Sequence, residues 1–284
     1  MTAIDIEGYR RASLDQWERS AGGWGARSGQ MRRWTAPVSQ WMIEAISPQP
    51  GQTVLELAAG PGETGLLAAE MVAPGGRVIV SDFAEPMVDV ARGRARELGV
   101  GNVDFRTLNA ESLDLDAASV DAILCRWGFM LVADPAAALA ESRRVLRPGG
   151  RLALAAWDDP AANPWASLLG AEVLRRTGAP EPDPKAPGMF SFAPPGRVER
   201  LLLDAGFTEP QVQVLHLEFD YAGFDEWWAV SLDLARPLAD LIAARGAQEA
   251  DEVRATMRDR LARYEQSDGR LVVPMQPLVA AASA

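Results

Sequence analysis

Val54-Leu55-Glu56-Leu57-Ala58-Ala59-Gly60-Pro61-Gly62-Glu63-Thr64-Gly65 reads as a buried strand that runs into a turn of small residues and then into a helix. Glycines in such a turn let the backbone come close to a ligand, and the helix start offers free N–H groups and a partial positive charge. A carboxylate or phosphate is therefore expected near Gly60–Gly62. Asp82 ends the next apolar run, 22 residues beyond Gly60, where a carboxylate can accept two hydrogen bonds from a ribose diol. Together these features read as an adenosine-type cofactor site. Gly60, Gly62 and Gly65 also satisfy G-x-G-x-x-G, so this stretch alone leaves a dinucleotide, and a plain tight turn without ligand, as alternatives.

Outward from that turn, short apolar runs alternate with amphipathic helical ones between Gln52 and Phe207, the pattern of a parallel α/β sheet. Strands are predicted at Thr53–Ala58, Arg77–Asp82, Val103–Asn109, Val120–Trp127 and Arg151–Trp157, with helices at Glu63–Val72, Glu85–Leu98 and Pro135–Leu146. Asp134-Pro135 supplies an N-cap and a proline at the first helical position. Gly99 and Pro148-Gly149-Gly150 provide helix stops. Beyond the core, the pattern predicts helices at Trp165–Thr177 and Arg197–Ala205, a strand at Val212–Phe219, a helical insert from Phe224 to Gln266, and a last strand within Arg270–Ala280 that Pro274 and Pro277 weaken. The expected organisation is a helical lid segment over 1–50, a cofactor-binding core over 51–157, a cap insertion over 158–195, a core helix and strand over 196–221, a second helical cap over 222–269, and a last core strand with its tail over 270–284.

Composition narrows the function. The chain has 284 residues, 48% of them apolar and 24% charged, which is ordinary globular usage. Its net charge of −11 disfavours a nucleic-acid partner. Cys125 is the only cysteine, so no intrachain disulfide can form, and no Cys/His cluster has metal-ligand spacing. No apolar run approaches the ~18 residues that span a bilayer, and Met1 to Arg11 carries Asp5 and Glu7 without an apolar core. A cytoplasmic protein without membrane insertion is expected. Lys185, the only lysine, lies in a proline-rich stretch, a poor place for Schiff-base or P-loop chemistry.

Five segments in order resemble the class I S-adenosylmethionine-dependent methyltransferases, in particular the small-molecule branch that includes ubiquinone/menaquinone-type enzymes. They are Val54–Gly62; Ser81-Asp82-Phe83-Ala84-Glu85-Pro86-Met87; Asn109-Ala110-Glu111-Ser112-Leu113; Val120-Asp121-Ala122-Ile123; and Arg144-Val145-Leu146-Arg147-Pro148-Gly149-Gly150-Arg151-Leu152. The resemblance implies a Rossmann-like, mostly parallel seven-stranded sheet with helices on both faces, its last strand antiparallel, and S-adenosyl-L-methionine as cofactor. It also implies roles. Gly60 and Gly62 would line the methionine part and Glu56 would organise the loop. Asp82 would hold the ribose, and Phe83 and Met87 would pack on the adenine. Asn109, Ala110 and Glu111 would face its edge, and Arg126 would turn its backbone carbonyl to the cofactor's amino group. Ala58 departs from the usual first glycine of the loop, and Asn109 stands where an aspartate is usual.

The acceptor is expected to be a small apolar or aromatic molecule methylated at O, N or C. After the fourth strand the chain reads Arg126-Trp127-Gly128-Phe129, without the Asn/Asp/Ser-Pro-Pro-aromatic clamp of enzymes that methylate planar amines. The irregular regions are rich in aromatic residues: Trp17, Trp24 and Trp34, then Trp157 and Trp165, Phe190 and Phe192, and Trp227 and Trp228. Such rings could enclose the acceptor, and Trp24, Trp127 and Phe190 are the expected lining residues. No catalytic residue is assigned. His216, the sole imidazole, is the weak candidate for a base, with Asp158 and Asp159 as alternatives. An NAD(P)-dependent oxidoreductase is the rival reading, but it leaves Arg147–Gly150 unexplained and finds no Tyr-x-x-x-Lys pair. A non-catalytic cofactor-binding module is the third.

Overall fold

The computed structural model describes residues 5–178 and 186–284; Lys185 and the prolines at 180, 182 and 184 lie outside them. The core follows the predicted alternation: β1 (Thr53–Leu57), α2 (Glu63–Met71), β2 (Arg77–Asp82), α3 (Glu85–Leu98), β3 (Val103–Thr107), β4 (Val120–Arg126), α4 (Pro135–Val145) and β5 (Leu146–Trp157). The inner strands β1, β2 and β4 are buried along most of their length because helices cover both faces, as parallel sheets require, whereas the edge strand β3 has no buried residue. Preceding them is a single 41-residue helix, α1 (Ile6–Ile46), about 60 Å long at 1.5 Å per residue. Its N-cap is Asp5, whose carboxylate accepts the Gly8 amide at 2.9 Å.

The seven-stranded sheet has the order β3-β2-β1-β4-β5-β9-β6, where β6 is Thr208–Val214 and β9 is Pro277–Ser283. β9 runs antiparallel to both of its neighbours, so the expected antiparallel last strand is present. Strand order reverses between β1 and β4, and open α/β sheets hold ligands outside the strand ends at that point.

Two strands differ from expectation. The single strand predicted at Val212–Phe219 is broken at Leu215-His216 into β6 and β7 (Leu217–Tyr221). The predicted last strand is likewise broken at Gln276 into β8 (Leu271–Met275) and β9. β7 and β8 pair antiparallel in a separate two-stranded sheet. Asn163 holds the bend: its side-chain oxygen accepts the Gln276 amide at 2.9 Å, and its amide nitrogen donates to the Gln276 carbonyl at 3.2 Å. The two prolines fit this arrangement, Pro277 opening its strand and Pro274 lying in a two-stranded ribbon whose outer side needs no donor.

The remaining helices are α5 (Pro164–Thr177), α6 (Arg197–Asp204), α7 (Phe224–Leu234), α8 (Arg236–Ala244) and α9 (Ala247–Leu261). α6 packs beside α4 and β6, while α7, α8 and α9 join α5 and α1. The two-stranded sheet presents Phe219, Tyr221, Val273 and Met275, all buried, to this helical layer. No described helix is long and apolar enough to cross a membrane.

Candidate functional site

The turn after β1 is shaped by three left-handed residues. Gly60 and Gly62 have φ of +51° and +77°, and Ala58 has φ of +49°. A side chain at Ala58 therefore carries strain that glycine would not. The turn hangs from the tip of β2. The two carboxylate oxygens of Asp82 accept the Gly60 amide at 2.8 Å and the Ala84 amide at 3.0 Å. The Ala59 amide donates to the Ser81 carbonyl at 2.9 Å, and the Ser81 hydroxyl donates to the Glu56 carbonyl at 2.7 Å. Asp82 is only 8% exposed, and burial raises its pKa against the pull of the backbone amides. Each carboxylate oxygen keeps a second lone pair for a ligand.

Space around the turn is arranged from the neighbouring strands. A side chain at Gly128 would come within 2.5 Å of the Ala58 methyl and 2.7 Å of Cys125 Sγ, so Gly128 lets the end of β4 close on the turn. A Cβ on Gly60 would meet nothing within 4 Å, which leaves that side of the turn open for a ligand. Glu56 lies below the start of α2, 2% exposed, and burial pushes its carboxyl up to about 8. Burial likewise raises the Cys125 thiol to about 12, so it is no nucleophile at neutral pH.

On the β2 side, Met87 and Ala84 pack with Ala21 in a small apolar cluster that Trp24 and Trp17 of α1 cover, and Phe83 beside them is half-buried. The Trp24 ring nitrogen donates to the Leu234 carbonyl at 3.2 Å. The Asn109 side-chain oxygen accepts the Glu111 amide at 2.9 Å, a local turn that uses one of its lone pairs; Ala110 is half-buried between them. Glu111 is not a solvated loop acid. Its side chain is 4% exposed and accepts Arg10 Nε at 2.8 Å and the Asp134 amide at 2.5 Å, joining the first turn of α1 to the cap of α4.

On the β4 side, Trp127 has φ of +63° and stacks on Trp157, with centroids 4.6 Å apart and planes within 5°. Its ring nitrogen is buried without a hydrogen-bond partner. Trp157 continues edge-on to Trp165, then Phe219, then Tyr221 and Trp34. The Phe190 loop docks next to this wall: the Gly188 amide and the Ser191 hydroxyl both donate to the Met130 carbonyl, at 2.9 and 2.8 Å. Tyr9 donates to the neighbouring Leu131 carbonyl at 2.8 Å.

His216 is not brought to the turn. It is exposed at the break after β6, four strand spacings from β1, or about 19 Å. Asp158 and Asp159 serve the bend at Asn163: their carbonyls accept its side-chain amide, and the Asp159 carboxylate accepts the Ala161 amide at 2.7 Å. Among the described residues, no group of three or more His, Cys, Asp or Glu side chains is placed to hold a metal ion. Sequence reasoning missed the part played by α1 itself. Arg10, Thr35 and Ser39 reach the edge of the sheet, and a stripe of small polar residues at Ser28, Thr35 and Ser39 was the trace of it.

Comparison with known proteins bears on this geometry. The methyltransferase-domain family matches residues 55–154, from β1 into β5. Nocamycin O-methyltransferase of Saccharothrix syringae is 32% identical over 193 residues, which cover 65% of this chain and 68% of that protein. The chain belongs to the class I S-adenosylmethionine-dependent methyltransferases. The ubiquinone/menaquinone biosynthesis C-methyltransferase UbiE of Enterobacter is 35% identical over 143 residues, 49% of this chain and 57% of that one. The fold is also that of the YcgJ protein of Bacillus subtilis, with a TM-score of 0.59 at 24% identity, over 86% of this chain and 97% of that one. The chain spans between about half and two thirds of the length of the curated relatives it matches. With the family given, the NAD(P)-dependent reading falls away.

Proposed function

We propose that this chain is a cytoplasmic S-adenosylmethionine-dependent methyltransferase for a small apolar or aromatic acceptor, with transfer to O, N or C. The observation that carries the reading is the Gly60–Gly62 turn suspended from the Asp82 carboxylate at the switch point of the sheet. The cofactor would bring an electrophilic methyl group on a sulfonium. The residues present fit such a group. The open side of Gly60 admits a close ligand, and Asp82 keeps lone pairs for a ribose diol. Phe83 and Met87 offer apolar and polarisable surface to a flat heterocycle. Asn109, Ala110 and Glu111 would meet its edge, and the Arg126 carbonyl its amino group. Glu56 and Ala58 would serve by fixing the turn.

Methyl transfer from a sulfonium has a good leaving group, so the protein's contribution is alignment and exclusion of water, which can be worth ~7–11 kcal/mol. Trp127 and Phe190 on one side and Trp24 on the other would line the acceptor. The unpartnered Trp127 ring nitrogen offers one hydrogen bond to an acceptor oxygen. Since His216 stands about four strand spacings from the turn, no base is assigned, and an acceptor that ionises readily by itself suits the site best. Incubating the protein with S-adenosylmethionine and a panel of phenols, quinols and enolisable ketones tests this, with release of S-adenosylhomocysteine as the readout. Acceptor-dependent release is the expected result. Tight cofactor binding with no release from any acceptor would favour a non-catalytic module.

A further inference from the structure

We propose that the side chain of Arg126, anchored by two hydroxyls of α1, receives the carboxylate of the cofactor's amino-acid tail. This rests on the cofactor reading above and assigns the guanidinium a role beyond that of the Arg126 backbone. Arg126 is the last residue of β4, next to the turn after β1, since Leu57 pairs with Cys125. Glu56 pairs with Leu124, and strand alternation puts the Arg126 side chain on that same face of the sheet, where α1 and α2 pack.

Three contacts fix the guanidinium. Nη1 donates to Thr35 Oγ1 at 2.5 Å and to Ser39 Oγ at 3.1 Å, and Cζ sits 4.7 Å above the Trp127 ring. Ser39 Oγ is in turn 3.2 Å from Thr64 Oγ1, in the first turn of α2. The cation is therefore two hydrogen bonds away from the helix start whose amides favour an anion.

What the guanidinium lacks is a carboxylate in direct contact. Among the described residues no carboxylate lies within 4 Å of it, and Nε and Nη2 donate to no protein acceptor. Two acids at this edge have an arginine of their own: Glu63 pairs with Arg94 at 3.0 Å, and Glu111 with Arg10 at 2.8 Å. Glu56 and Glu63 act on Arg126 only through their field, and burial, the largest influence, lowers its pKa. Arg126 is half-buried, and a carboxylate can take the free Nε–Nη2 fork in bidentate fashion without displacing the hydroxyls that hold Nη1.

The test compares two ligands on the same protein by titration calorimetry. S-Adenosylhomocysteine carries the amino-acid tail; 5′-methylthioadenosine keeps the adenosine and the sulfur but lacks it. Arg126→Gln should weaken S-adenosylhomocysteine about 10- to 100-fold, the scale of a charge-assisted bidentate bond, while 5′-methylthioadenosine changes less than about threefold. Retained 5′-methylthioadenosine binding also reports that the variant is folded. Arg126→Lys should recover part of the loss. Should Arg126→Gln fail to fold, Thr35→Val in a folded protein should weaken S-adenosylhomocysteine selectively and by less. Equal loss for both ligands, or none for either, overturns the assignment. If the unaltered protein binds neither ligand, the cofactor reading itself fails, a result separate from the failure of Arg126.

Discussion

Ala58 adopts a left-handed backbone that an L-residue reaches only at a cost of roughly 1–2 kcal/mol, and its methyl group abuts Gly128. Ala58→Gly should relieve that strain and raise stability by up to about 1 kcal/mol, less whatever the added unfolded-state freedom takes back; denaturant unfolding would show a higher midpoint at unchanged slope. Asp82 joins structure to binding, because the carboxylate that would meet a ribose also holds the Gly60 and Ala84 amides. Asp82→Ala should weaken S-adenosylhomocysteine by about 1–3 kcal/mol and lower stability as well, since two amides lose their acceptor. Unchanged affinity in a folded variant would remove the ribose assignment.

At the scale of elements, the helical layer around α5 is tied by one buried acid. The Glu172 side chain is fully buried and meets Arg175 at 2.6 Å, Arg176 at 2.7 Å and Arg260 of α9 at 3.2 Å. The hydrogen bond from Arg175, with those of Arg176 and the charge of Arg260, pulls its carboxyl down to about 2 from the ordinary 4.5. A carboxyl with a depressed folded-state pKa contributes stability that is present above about 4.5 and is lost as pH falls towards about 2. Glu172→Gln should therefore lower the unfolding temperature at pH 7, by the equivalent of about 1–3 kcal/mol. The gap to the unaltered protein should close between pH 4.5 and 2. A gap that is the same at pH 7 and pH 2.5 would show that packing, not charge, makes the difference.

For the whole molecule, the β-α alternation and the Gly60–Asp82 spacing were legible because they depend on local periodicity and on one turn. The breaks that divide β6 from β7 and β8 from β9 were not. The break at Gln276 is held by Asn163, 113 residues away, and nothing near Arg270 announces that clamp. The direction of the Arg126 side chain was hidden for the same reason, since Thr35 and Ser39 meet it only once α1 lies across the sheet. Aromatic enrichment in the irregular regions was plain, whereas the division of labour among the rings depends on packing. Trp157, Trp165 and Phe219 form a wall, and Trp24 covers Met87.

The most direct test of the adenosyl sulfonium site is calorimetric titration of the purified chain with S-adenosylmethionine and, separately, with NADH. Saturable binding of S-adenosylmethionine at one site per chain, weakened by Asp82→Ala, with no heat from NADH, is the predicted result. Binding of NADH with no binding of S-adenosylmethionine would contradict it.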